Sequence, residues 1–190
     1  MVSRRESLCK RAKRADKDAA RQLLEIYYGD IFAYLRRLCG GKQDAEDLTQ
    51  ETFVKAWSSL DTFAGRSRFS TWIHRIAYNT YADWLRRNGR NAKLHLDRWW
   101  DHRLNNDPGP FANTAQRQLA YRLYEAVDQL DEDKKQVVHL HYYQGLSLKE
   151  TAKVLDIATS TVKYRLREVF KTLRTKIDIQ EIEFDQRETT

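Results

Sequence analysis

At 190 residues the chain has room for one ordinary domain or two small ones, and its 41% hydrophobic content is enough to build cores. Only two prolines and seven glycines interrupt it, which disfavours a turn-rich all-β fold and predicts helices. No stretch reaches the roughly 18 apolar residues of a membrane span, and the charged start Met1-Val2-Ser3-Arg4-Arg5 has no apolar run behind it, so no signal peptide is predicted. The net charge of +7 sits in the first half: residues 1–90 carry 18 Lys/Arg against 11 Asp/Glu, and residues 91–190 carry 16 of each. Basic faces at particular places suggest a polyanionic partner.

Residues 1–15 form a basic N-terminal extension. Helical periodicity then predicts helices over 18–28 and 30–39, the second stopped by Gly40-Gly41. A third helix is predicted over 44–58. On it Ala45, Leu48, Thr49, Thr52, Phe53 and Ala56 share the core side, while Asp44, Asp47, Gln50, Glu51 and Val54 share the other. Carboxylates spread outward along one helix do not converge as a metal site requires. This face meets solvent or docks a basic partner surface, and the apolar Val54 at its centre favours docking.

The loop 61–68, Asp-Thr-Phe-Ala-Gly-Arg-Ser-Arg, sets Phe63 beside a glycine and two arginines, Arg66 and Arg68. The next helix, 69–87, is predicted to bury Phe69, Trp72, Ile73, Ile76, Ala77, Thr80 and Trp84. It should turn Thr71, His74, Arg75, Tyr78, Asn79, Ala82, Leu85 and Arg86 outward. Single-stranded DNA is held by stacking bases on aromatic rings while cations track the phosphates, and this loop and face supply both groups. Phe63 reads either as such a platform or as a packed side chain.

Residues 89–113 hold Gly89, Pro108, Gly109, Pro110 and the polar run Asn105-Asn106-Asp107, where helical periodicity fades. They read as a linker between modules at 16–88 and 114–176. Its Trp99-Trp100 pair is unusual, since exposed adjacent tryptophans pack on something. Helices are predicted over 114–129, 132–144, 147–155 and 159–175, the third opened by the capping box Ser147…Glu150. The last two, with a tight turn between them, form a helix-turn-helix. Val162, Leu166, Val169, Phe170 and Leu173 line the core side of its second helix. Ser160, Thr161, Lys163, Tyr164, Arg167 and Lys171 lie opposite, small hydrogen-bonding residues near the N-terminus and cations beyond them. That is the requirement for a helix that reads base edges and holds phosphates. Residues 177–190 are an acidic tail. The five histidines form no ligand pattern, and Cys9 and Cys39 read as reduced thiols. The fold class predicted is all-α: two small helical modules joined by a flexible linker.

These segments resemble a known family. Asp44-Ala45-Glu46-Asp47-Leu48-Thr49-Gln50-Glu51-Thr52-Phe53-Val54-Lys55-Ala56-Trp57 is similar to region 2.2 of bacterial sigma factors. Phe69-Ser70-Thr71-Trp72-Ile73-His74-Arg75-Ile76-Ala77-Tyr78-Asn79 resembles their regions 2.3 and 2.4. Ser147–Ala152 with Ser160–Leu166 resembles region 4.2. Order, spacing and length match the extracytoplasmic-function group, which keeps regions 2 and 4 alone, and the resemblance covers about 16–176.

The resemblance implies roles by position. Asp44, Asp47, Gln50, Glu51 and Val54 would dock the clamp helices of the β′ subunit of core RNA polymerase. Phe63, Arg66, Arg68, Arg75, Asn79 and Arg86 would meet the −10 promoter element. Ser160, Thr161, Lys163, Tyr164, Arg165, Arg167 and Lys171 would meet the −35 element, with 116–145 against the β flap. It further implies an anti-sigma factor as partner, a cytoplasmic location at times held to the membrane by that partner, and no cofactor, metal, small-molecule substrate or catalytic residue. The competing reading is an autonomous helix-turn-helix regulator, which leaves the acidic face and the aromatic loop without a purpose and would normally dimerise on half-sites.

Overall fold

The computed structural model describes residues 4–12, 14, 16–60, 63, 65, 67–88 and 122–176. The expected linker 89–113 with its tryptophan pair, Arg66 and the acidic tail 177–190 lie outside the described residues. Those described form helices and turns, with no β-strand among them.

Helix α1, Arg4–Ala12, buries Leu8 and Ala12 against its neighbour, so the basic extension is partly helical. Helix α2, Lys17–Cys39, is capped by Asp16, whose carboxylate accepts the Ala19 N–H at 3.0 Å. It runs without a break through Gly29-Asp30, where two helices were expected. A glycine inside a helix costs about 1 kcal/mol relative to alanine. The buried row Leu23, Leu24, Ile31, Tyr34, Leu35 and Leu38 spans that position and outweighs the cost. Gly40, at φ 73°, ends α2 as the Gly-Gly pair predicts.

Helices α3, Lys42–Ser58, and α4, Phe69–Asn88, complete the first module, with α2 against both and α3 against α4. The core sides expected for α3 and for most of α4 are buried or half-buried. Aromatic rings close the base of α4, where Phe69 packs 5.2 Å from Trp72 and 5.5 Å from Tyr27.

The second module contains α5 (residues 122–128), α6 (Glu132–Val138), α7 (Leu148–Leu155) and α8 (Thr159–Lys176). The helix α6 runs on into a π-helical turn, His139–Tyr143, which widens the backbone just before the helix-turn-helix. At the start of α7 both halves of the capping box form: the Glu150 N–H donates to Ser147 Oγ at 3.3 Å, and the Ser147 N–H donates to Glu150 Oε2 at 2.9 Å. The turn into α8 is made by Asp156 at φ 57°, a left-handed conformation that Asp tolerates better than most residues. Thr159 and Ser160 open the first turn of α8, as the predicted range 159–175 has it.

The two modules pack together. The cluster of buried side chains runs from Leu8 through Tyr81 and on to Val137, Leu140, Leu146, Val154 and Leu166. A smaller cluster of Val127, Leu130, Val138 and Val169 sits at the far end of the second module. Inside the junction the Tyr34 hydroxyl donates to Gln136 Oε1 at 2.6 Å, and the Arg37 guanidinium lies 4.9 Å from the centre of the Tyr143 ring. Helix α7 lies against α4.

Candidate functional site

Three surfaces hold the residues singled out from the sequence. On α3, Asp47, Gln50 and Val54 are exposed together, Val54 by 66%. Trp57, three residues after Val54 and so on the same side, is also exposed, and Tyr28 of α2 stands beside Phe53 with rings 5.4 Å apart. Sequence reasoning left Trp57 out of this face, although the i, i+3 step from Val54 was signal enough.

Asp44 and Glu51 stand apart from the exposed trio. The Asp44 carboxylate folds back over Gly41 at the helix start, where the helix dipole favours a negative charge. Glu51 joins an ion network instead, 2.8 Å from Lys55 and 3.6 Å from Arg87 of α4. Lys55 also reaches Asp83 at 3.7 Å, and Asp83 pairs with Arg86. This network ties the end of α3 to the end of α4 and engages one residue expected to dock polymerase and one expected to meet DNA.

The α4 surface differs most from expectation. Arg75, Asn79 and Arg86 are exposed along it as predicted. Phe63 is 5% exposed and packs with its ring 5.4 Å from Phe69, edge to face, and 5.2 Å from Trp72. The packed alternative therefore holds in this structure, and the ring does not stand out as a stacking platform. Thr71 and His74, expected to face outward, are each 2% exposed, because the second module covers them. Thr71 Oγ1 donates to Glu150 Oε1 at 3.4 Å, and His74 Nε2 lies 3.3 Å from Gln144 Oε1. Burial holds the His74 imidazole below its ordinary pKa, against the opposing pull of its bonds to Ser70 and Gln144. Arg68 sits 3.5 Å from Glu150 and Arg75 3.4 Å from Asp156. Burial acts to raise the Glu150 carboxyl, but the bonds from Ser147, then Arg68 and Thr71, hold it below the usual carboxylate value.

On α8 the outer side presents Ser160, Lys163, Tyr164, Arg167 and Lys171 to solvent, with Thr161 half-buried at their edge. Tyr164 is 58% exposed. Arg165 departs from the group. Its side chain turns inward and pairs with Asp133 of α6, bracing the module. Phe170, expected in the core, is exposed at the far end of α8 and meets Tyr142 edge to face at 6.2 Å. Tyr142 is itself exposed, so the ring pair stands at the surface.

No group of three or more metal-ligating side chains occurs among the described residues, and no helix there is long and apolar enough to cross a membrane.

A family model described as Sigma-70 region 2 matches residues 23–91, and one described as Sigma-70, region 4 matches residues 120–173. The RNA polymerase sigma factor SigX of Bacillus subtilis, of the extracytoplasmic-function group, is 31% identical over 160 residues, covering 83% of this chain and 82% of its own. The RNA polymerase sigma-H factor of Pseudomonas aeruginosa is 30% identical over 171 residues, covering 85% and 87%. Among solved structures, CnrH in complex with the cytosolic domain of CnrY is similar at a TM-score of 0.65 and 26% identity, covering 90% of this chain and 95% of that one. The sigma factor RpoE of Bartonella quintana, in complex with the anti-sigma factor NepR, shares the fold at a TM-score of 0.64 and 21% identity, covering 84% and 96%.

Proposed function

The chain belongs to the extracytoplasmic-function group of RNA polymerase sigma factors, and on that premise we propose a division of labour among its three surfaces. It directs promoter-specific transcription initiation. In the proposed division, Asp47, Gln50 and Val54, with Trp57 added, dock the β′ clamp helices of core polymerase. An exposed apolar centre flanked by polar groups is how a non-obligate interface is built. The loop around Phe63 and the α4 side with Arg68, Arg75, Asn79 and Arg86 take the −10 element. The α8 side with Ser160, Thr161, Lys163, Tyr164, Arg167 and Lys171 takes the −35 element. The 116–145 part of the second module takes the β flap, and the exposed Tyr142 within it supports that assignment. The units are 16–88 and 114–176, with 1–15, 89–113 and 177–190 as extension, linker and tail.

In this reading the protein contributes binding energy and the polymerase performs the synthesis. Opening duplex DNA costs roughly 1.4 kcal/mol per base step. Stacking a freed base on an aromatic ring returns about 1–3 kcal/mol. An anti-sigma factor would hold the chain inactive, as CnrY and NepR accompany the similar proteins described above. The observation that carries the reading is the exposed Asp47–Gln50–Val54–Trp57 surface on the same chain as an open recognition helix. A regulator acting alone has no need of the first.

Purified protein added to core polymerase and a library of promoter fragments should produce transcripts from a subset of fragments, and none without it. Failure to bind core, with duplex binding intact, would move the assignment to the autonomous regulator.

A further inference from the structure

Helix α1 has no part in the three surfaces described so far, and it precedes residue 23, where the match to the region 2 family model begins. It is nevertheless seated on the first module and strongly basic. Leu8 and Ala12, one turn apart, are buried against α2. The Arg11 guanidinium meets Asp16, the cap of α2, at 2.8 Å and ties the end of α1 to the start of the next helix. Residues 4–17 carry seven Lys/Arg against Glu6 and Asp16. With Leu8 and Ala12 facing α2, the flank at Arg5, Cys9 and Lys10 turns to a cleft whose other side holds Phe63, Gly65 and Arg68 of the loop before α4. The Arg5 guanidinium lies over the Tyr27 ring, 5.5 Å from its centre, and Tyr27 packs on Phe69 at 5.5 Å. That stack fixes a cation of α1 beside the aromatic cluster that contains Phe63. Among the described residues of the first module, the cleft sets Arg5, Lys10 and Arg68 against one carboxylate, Asp30. Glu150 enters from the second module and is engaged by Ser147 and Arg68.

We infer that α1 lengthens the single-strand path beyond the −10 element, with Arg5 and Lys10 holding phosphates of the melted strand where it leaves the loop around Phe63. The proposed −10 contacts run from Arg86, near the end of α4, to Phe63, before its start, and α1 lies at the Phe63 end. Aromatic rings take bases while cations track the backbone of a single strand. Helix α1 supplies the cations past the last ring. Phosphates carry no base identity, so this contact governs how firmly the melted strand is held and not which promoter is chosen. The inference rests on the proposed −10 role of the loop and α4.

The test uses holoenzyme assembled from core polymerase and three forms of the full chain: wild type, the double variant Arg5→Gln, Lys10→Gln, and the double variant Arg14→Gln, Lys17→Gln. Arg14 and Lys17 are exposed and stand outside the cleft, so the last form removes the same charge from the same segment. Fluorescence anisotropy follows a labelled single strand carrying the −10 element of a promoter that the wild type transcribes. The strand is used at that length and lengthened by about six nucleotides on one side or the other, within the usual size of a single-strand site. One extension should tighten wild-type binding and steepen its salt slope. On that extended strand the Arg5, Lys10 variant should show a slope lower by about 1.4 units, since each phosphate contact on a single strand contributes about 0.7. It should bind the short strand and core polymerase as wild type does, and the Arg14, Lys17 variant should match wild type throughout. Because Arg5 packs on Tyr27, Lys10→Gln alone, which leaves that stack in place, should give about half the shift. No gain from either extension, an equal loss on short and extended strands, or an equal loss in the two double variants would overturn the inference. A loss of core affinity in the Arg5, Lys10 variant would put α1 on the polymerase and overturn it too. Transcription by the wild type with no effect of either extension discards the inference alone, whereas no transcripts from the wild type discards the sigma role and the inference with it.

Discussion

His139 lies wholly inside the second module, against the ring of Tyr143, and its Nδ1 finds no hydrogen-bond partner among the described residues. Burial, with Arg37 and Lys135 nearby, lowers its pKa from 6.5 to about 3. The fold therefore keeps the ring neutral. Above pH 6.5 the unfolded chain is neutral too, and the group is silent. As the pH falls below 6.5, the unfolded chain takes up a proton that the folded chain refuses, down to about pH 3. Stability should fall by about 1.4 kcal/mol per pH unit over that range from this residue alone. His139→Leu, close in volume and free of the unpaired nitrogen, should flatten the melting temperature between pH 7 and pH 5. An unchanged acid slope would refute the assignment. Phe63 needs equal care at this scale. Because it packs on Phe69 and Trp72, Phe63→Ala would also open a cavity, and losses of 3–5 kcal/mol are typical for buried Phe→Ala. Phe63→Leu retains most of the apolar volume and removes the flat ring. It should melt within a few degrees of wild type and bind core normally, yet form fewer open complexes by permanganate footprinting. Normal opening would remove Phe63 from the melting step.

Helix α8 sorts its cations into two kinds, and the difference is measurable. Lys163 points into solvent on the open side, whereas Arg165 is turned in and paired with Asp133. Lys163→Ala should weaken duplex binding about equally across sequences and lower the salt slope by about one unit, with melting unchanged. Arg165→Ala should leave the salt slope alone and lower the melting temperature modestly, since a partly exposed pair contributes no more than about 1 kcal/mol. A salt titration followed by fluorescence anisotropy, beside a melting curve, separates the two, and the reverse pattern would exchange their roles. The elements themselves were largely legible in the sequence. The core stripes of α3 and α4, the Gly40 stop and the Ser147 capping box follow from local spacing, which fixes one buried face per helix. What was not legible came from outside that spacing. Gly29 looked like a break because its cost is local, while the burial that overrides it comes from packing on α3 and α4. Arg165 sits at the edge of the outer face, and nothing nearby in sequence announces that Asp133, 32 residues earlier, will turn it inward. Trp57 was legible and passed over.

At the scale of the whole molecule, Thr71 and His74 show why a tethered pair of modules was expected and a joined pair was found. A helix with one core-facing side uses one face. Helix α4 uses two, and the partner for the second, Gln144 to Asp156, is roughly 70 to 80 residues away beyond the linker. Periodicity within α4 carries no trace of it. The joint has its own centre in Tyr34, fully buried, whose hydroxyl donates to Gln136 across the modules. Burial, with Glu132 nearby, raises its pKa well above the ordinary value, so the proton needed for that bond stays in place across the physiological range. Gln136 is itself buried and gives its amide to Glu132 at 2.7 Å, so its carbonyl depends on Tyr34. Tyr34→Phe keeps the ring and removes the donor, leaving a buried acceptor unsatisfied at a cost of about 1–3 kcal/mol. Because the bond crosses the junction, the loss falls on docking first. Wild type should unfold in one calorimetric transition, as a shared core implies. The variant should melt about 2–4 °C lower for each kcal/mol lost, with the two modules beginning to separate in the trace. A variant that melts as wild type does would place Tyr34 outside the joint's energetics and leave the modules held by their apolar contacts alone.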